Sequence, residues 1–174
     1  VVHPFNMGKT TFCLNLLWNN MDKFPCTLMG NEYAAAKFKR RVSNMNWADP
    51  LKEDGMAKFE LIERHDNWKD IIRPNNINII DWINLADSFY QIGAIIEGIQ
   101  SKLKDGIAVI SLQKADNKTL GLGGGFSLHL ASLYLAVDFE RLTVVKAKEW
   151  YEKNPNGKMY GFSIGSGGTK FANI

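Results

Sequence analysis

Gly8, Lys9 and Thr10 stand together at the head of an apolar helical run, and these residue types in this order suit a loop that holds phosphate. A chain that turns tightly into a helix aims successive backbone N–H groups, and the positive end of the helix, at one anion. In the run Asn6-Met7-Gly8-Lys9-Thr10-Thr11, the Lys9 ammonium would reach the β- and γ-phosphate oxygens of ATP. The Thr10 hydroxyl is small enough to bind Mg²⁺ from the first helical turn. Two residues depart from the pattern GxxxxGK followed by Ser or Thr. His3 stands where the first glycine is expected, and Pro4 has no N–H to donate. The plainer reading of the same residues is a helix start with Gly8 at its boundary.

Further along the chain, three polar residues stand at the ends of apolar runs. Ligands of open α/β sheets bind outside the carboxyl ends of the strands, so such residues point at a site. Asp81 ends Ile77-Asn78-Ile79-Ile80 and could hold Mg²⁺, a hard cation that prefers charged oxygen; otherwise it caps the helix that follows. Glu32 lies just beyond Pro25-Cys26-Thr27-Leu28-Met29, where a carboxylate could take a proton from water lined up against the γ-phosphate. Its simpler role is to favour the next helix's N-terminus. Gln113 follows Ile107 to Leu112, and its amide can donate to a phosphate oxygen while accepting from water. Beyond it Lys114, Lys118, Gly123 and Gly124 belong to a glycine-rich stretch whose cations and backbone N–H groups suit a nucleic-acid phosphate backbone. A surface loop without a ligand is the alternative.

The elements needed to position these residues are readable in outline. Helices are expected over Phe12 to Met21, Ala34 to Val42 and Ala86 to Leu103, with a short one over Asn67 to Ile72. Strands are expected at Pro25 to Met29, Phe59 to Glu63, Ile77 to Asp81 and Ile107 to Leu112, and continuous apolar strands alternating with helices imply a parallel sheet covered on both faces. Ser132 to Val137, Leu142 to Val145 and Met159 to Ile164 read as an antiparallel extension. The 174 residues suit a single domain, 45% of them hydrophobic and 22% charged, and a net charge of +3 does not by itself indicate a nucleic-acid partner. Cys13 and Cys26 form no CxxC pair, which favours a reduced, cytoplasmic protein. No run approaches the 18 or so apolar residues of a membrane helix. Only two residues precede the loop, where a buried strand takes about five, so residues missing from the N-terminus are expected.

Taken in order, GKTTF, strands ending at Glu32, Asp81 and Gln113, the glycine-rich loop and Lys146-Ala147-Lys148 make the chain resemble the RecA-like ATPase core. Within that group it looks most like the motor domain of DnaB-type replicative hexameric helicases, including phage ATPases. The resemblance implies a three-layer α/β sandwich that binds ATP and Mg²⁺ and acts on single-stranded DNA in a hexameric ring, with a primase or loader as a further partner, in a bacterial or phage-infected cell. Lys9 and Thr10 would contact phosphate and Mg²⁺, Asp81 would be the Walker B acid, Glu32 the catalytic glutamate and Gln113 the sensor. Lys146 and Lys148 match the basic pair, usually Lys-x-Arg, that relatives project into the neighbouring subunit's site. Lysine at the second position lacks the planar bidentate contact of arginine, and an exposed edge strand guarded by lysines is the simpler reading. A recombinase-like DNA-dependent ATPase, or a nucleotide-binding regulatory or scaffold module without turnover, are the competing functions. His65 and His129 lack metal-ligand spacing, the Lys37 to Arg41 run reads as a solvated face, and the five tryptophans read mostly as core.

Overall fold

The computed structural model describes residues 1–4, 8–31, 33–85, 88–116, 118–165 and 169–172. A short β1 (Val2–His3) leads through the loop to α1 (Lys9–Asn20), followed by β2 (Cys26–Gly30), α2 (Ala35–Val42) and β3 (Glu60–Glu63). A 3-10 turn at Trp68–Asp70 precedes β4 (Ile77–Asp81), and a second at Phe89–Gln91 runs into α3 (Ile92–Gln100). The remainder comprises β5 (Ile107–Ile110), β6 (Leu112–Gln113), α4 (Gly125–His129), β7 (Leu133–Asp138), β8 (Arg141–Ala147), β9 (Met159–Gly161), β10 (Ser163–Gly165) and β11 (Lys170–Ala172).

β2 pairs in parallel with β3 and β4, and β4 with β5, while β1 lies between β6 and β7 with both pairings parallel. These two ladders meet along one strand course, since only Ser111 separates β5 from β6. The Ser111 N–H donates to Ile80 O at 3.0 Å, and the Leu112 N–H donates to Val1 O at 2.9 Å. The spatial order is therefore β3-β2-β4-β5/β6-β1-β7-β8-β9, with β8 and β9 added antiparallel. This is the expected mostly parallel sheet with an antiparallel extension.

Side chains alternate across a strand, so neighbouring residues feed opposite layers. Leu28 and Ile79 pack with Cys13, Leu14, Leu17 and Trp18 of α1, while Met29 and Ile80 pack with Ile92 and Ile99 of α3 on the other face. Each such large apolar side chain contributes roughly 1.5–3 kcal/mol on full burial. Asn78 interrupts this pattern inside β4 without leaving polar atoms bare. Its amide donates to Arg73 O, Asn76 O and Ile107 O, and its carbonyl accepts from the Arg73 N–H at 2.9 Å, pinning the turn before the strand.

Three expectations are corrected. The long helix begins as a 3-10 turn and its α-helical part ends at Gln100, where Ser101 donates to Gly98 O and the chain turns. Met159 to Ile164 is not one strand: Phe162 is buried against Phe171, ring centroids 4.8 Å apart, as the chain passes from β9 to the β10–β11 hairpin. The glycine-rich stretch from Lys114 to Gly125, expected as a loop, ends in the first residue of a short helix, α4.

Candidate functional site

The strand register gathers the candidate residues at one end of the sheet. His3, the last residue of β1, pairs with Gln113, and Gly30, the last of β2, pairs with Asp81. All four strands run parallel, so their carboxyl ends open on the same side. Gly8 adopts φ +80 at the start of α1, where glycine avoids the strain of a Cβ, and no side chain caps the helix. The first-turn N–H groups therefore face outward toward any anion placed there.

Lys9, half-buried, folds back over this turn. Its ammonium donates to Pro4 O at 3.4 Å and lies 5.5 Å from the centroid of the Trp82 ring, a cation–π distance. Trp82 directly follows Asp81 and takes φ +60, a left-handed conformation that costs a bulky residue on the order of 1–3 kcal/mol. That reversal carries the indole toward Lys9. Lys9 thus meets the residue that follows the Asp81 strand end, although the two lie far apart in sequence. Thr10 and Thr11 are half-buried in the same first turn.

His3 stands where the loop pattern has its first glycine. The residue belongs to β1, is fully buried, and sets its ring edge on Phe12 with centroids 5.7 Å apart. Asn15, one turn along α1, ties the C-terminal hairpin to the site: its amide donates to Thr11 O and Thr169 O, and its carbonyl accepts from the Phe171 N–H. Between α1 and α2 opens a cavity of about 360 Å³ whose lining includes Thr11, Lys37, Arg40, Arg41, Asn44 and Thr169. Part of the basic run read as a solvated face therefore lines a hollow that adjoins the first turn of α1, where its charge favours an anion.

Asp81 is only 2% exposed, and its Oδ2 accepts a 2.6 Å hydrogen bond from the Tyr33 hydroxyl, itself 3% exposed. The Cys13 thiol lies against Asp81 and Ser111. Burial first, and the Asp81 charge second, push the pKa values of both Cys13 and Tyr33 well above their ordinary values. Both acids therefore stay protonated in the fold under conditions where the unfolded chain releases their protons. Unfolding then loses protons at high pH, so stability is complete below the unfolded Cys value of about 8.5 and declines above it. Cys13 contributes a slope of about 1.4 kcal/mol per pH unit and Tyr33 as much again beyond about pH 10, when unfolded tyrosine ionises. Burial also raises the Cys26 thiol, so Cys13→Ala should make the first decline shallower without abolishing it. Urea unfolding across this range checks it, and a free energy that stays flat to about pH 10 would contradict the burial argument.

Other candidates are placed less simply. Glu32, Asn6 and Met7 lie outside the described residues. Gln113 is half-buried at the strand end, with Leu122 N–H on its carbonyl at 2.8 Å. Lys114 does not lie on the loop surface: its side chain is 0% exposed, paired with Asp138 at 2.5 Å and donating to Lys118 O at 2.8 Å. It is not available to a phosphate backbone in this arrangement. Lys118 is exposed, Gly123 packs against Ile92, and Gly124 leads into α4. Lys146 donates to Leu128 O and His129 O at the end of α4, and burial together with the Lys148 charge holds its pKa below the usual lysine value. Lys148 is exposed, as are His65 and His129. Tyr33 and Trp82 were missed as site residues; an aromatic directly after each strand-end carboxylate was the available signal.

The donor set suits Mg²⁺, which keeps several waters and takes one or two carboxylates together with substrate phosphates. Asp81 and the Thr10 hydroxyl are donors of that kind, and among the described residues no group of three or more His, Cys, Asp or Glu forms a closed metal cage. No described helix is long and apolar enough to cross a membrane.

No protein-family model and no curated protein sequence matches the chain. Among solved structures, a KaiC-like protein from the hyperthermophilic archaeon Pyrococcus horikoshii OT3 is similar in fold, with a TM-score of 0.73 at 16% sequence identity, over 99% of this chain and 87% of that one. The chain thus has a RecA-like α/β fold, with the Gly8 turn and Asp81 at the carboxyl end of its parallel strands.

Proposed function

We propose that this chain is the ATP-hydrolysing motor domain of a DnaB-like replicative DNA helicase, acting on single-stranded DNA as one subunit of a ring. The observation that carries the nucleotide reading is the contact of Lys9 with Trp82, the residue directly after the Asp81 strand end, beside an uncapped helix N-terminus. The first turn of α1 would bind the phosphates through backbone N–H groups, and Lys9 would pair with their terminal oxygens. Thr10 and Asp81 would hold Mg²⁺, which when bound neutralises charge on the phosphates. Glu32 would take the proton of the attacking water, and Gln113 would sense the γ-phosphate next to the loop leading to Lys118, Gly123 and Gly124. Lys146 and Lys148 would serve the neighbouring subunit's site, with Lys148 the freer of the two. The DNA, ring and partner elements of this reading follow the order of motifs along the chain.

The test is ATP hydrolysis by the assembled protein with and without single-stranded DNA. DNA should stimulate turnover, and Glu32→Gln should bind ATP yet lose hydrolysis by at least about 10²-fold, the range of a general base. Turnover that persists in Glu32→Gln would remove the assignment. Binding with no turnover in either protein would favour the regulatory module, a reading motivated by His3 and Pro4 in place of the usual loop. DNA-stimulated turnover without strand displacement would favour the recombinase-like ATPase.

A further inference from the structure

We infer that Tyr33 is a positioning residue for the metal-holding carboxylate: its buried hydroxyl, a neutral donor, fixes the orientation of Asp81. This rests on the nucleotide reading above and adds a residue to it. The two groups come from elements 48 residues apart and meet at 2.6 Å, with both side chains almost completely buried.

The contact is built into the backbone. Gly30 and Asp81 form the last rung of the β2–β4 ladder, and the Tyr33 ring lies over that rung. A Cβ at position 30 would stand 2.6 Å from Tyr33 Cε2 and 2.9 Å from the Asp81 carbonyl oxygen, so only glycine lets the ring lie there. Phe38 of α2 holds the ring from the side, edge-on at a centroid distance of 5.5 Å. Such support restricts the phenol to one direction, toward Asp81 Oδ2.

The donor's chemistry matters as much as its place. A lysine or arginine here would orient the carboxylate but also neutralise it, weakening its pull on a cation. Tyr33 orients by a neutral O–H. In this low-dielectric setting the hydrogen bond restrains the rotation of Asp81, which is what an outer-shell hydrogen bond contributes to a metal ligand. Tyr33 also directly follows Glu32 in the sequence.

Tyr33→Phe tests this, because it keeps the ring over Gly30 and removes only the hydroxyl. The readout is binding of a fluorescent ATP analogue to the full chain, titrated with Mg²⁺ and repeated in EDTA. The Mg²⁺ concentration at half-saturation should rise on the order of 10-fold, the effect of losing an outer-shell partner, while binding in EDTA stays unchanged. In an Asp81→Asn background the same change should produce no further shift. A merely structural hydroxyl would lower the melting temperature and leave the Mg²⁺ midpoint in place; that result overturns the inference alone. Wild-type protein that binds no analogue, or binds it without regard to Mg²⁺, overturns the nucleotide reading and this inference with it.

Discussion

Lys9→Ala is expected to lower ATP hydrolysis by about 10²–10³-fold, the loss of about 2.7–4 kcal/mol that follows removal of one charge-stabilising donor from a preorganised site. The ammonium sits at the first residue of α1, above the turn whose N–H groups face outward, and beside the strand end carrying Asp81. Lys37, Arg40 and Arg41 line the hollow between α1 and α2, while Lys9 is the lysine on the first turn of α1 itself. Charge on the transferring phosphoryl group grows toward the transition state, so the substitution should depress kcat as well as weaken binding of the analogue. Two contacts of the ammonium, a 3.4 Å hydrogen bond and a cation–π contact, are each worth about 1 kcal/mol or less at a half-exposed position. A variant that folds normally and hydrolyses ATP within about threefold of wild type would remove Lys9 from the site.

What the sequence disclosed follows from how local each signal is. Ile77–Asp81 was legible to the residue because an unbroken apolar run ending in a carboxylate has few other uses in a parallel sheet. The start of α1 was legible through Gly8, and the position of Gln113 through the run before it. Contacts between distant segments left no such trace. Tyr33 reads as an ordinary aromatic until β2 and β4 are paired, and only then does its hydroxyl meet Asp81. Lys114 looked like a loop cation because it borders a glycine-rich stretch. Its burial was hinted at by alternation alone: Leu112 and Lys114 are buried while Gln113 between them is half-exposed, so the strand's period of two continues one residue into the loop. The division of Met159 to Ile164 was hidden for the same reason, since Phe162 turns inward to meet a residue that comes later in the chain.

Lys114 yields the largest stability effect expected in this molecule. Its ammonium, completely buried, is held by Asp138 Oδ1 at 2.5 Å and by Lys118 O at 2.8 Å. Asp138 is 24% exposed and has a second, longer contact to Arg141 at 3.6 Å. The pair is therefore asymmetric. Asp138→Ala strands a charge inside the protein with one carbonyl for company and should cost about 3–5 kcal/mol. For a chain of this size that lowers the melting temperature by roughly 6–20 °C. Lys114→Met leaves a carboxylate that can turn to solvent and to Arg141, so its cost should be smaller. Combining Lys114→Met with Asp138→Ala should recover much of the loss, because the buried charge is then gone. The same clasp fastens the loop after Gln113 to β7, so Asp138→Ala should also expose the exposed Lys118 segment to trypsin faster than Lys114→Met does. Urea unfolding of the three variants decides the matter. Equal costs for the two single substitutions would show that the ammonium is not the buried partner, and with that the anchoring of the loop beside the proposed phosphate sensor would lose its physical basis.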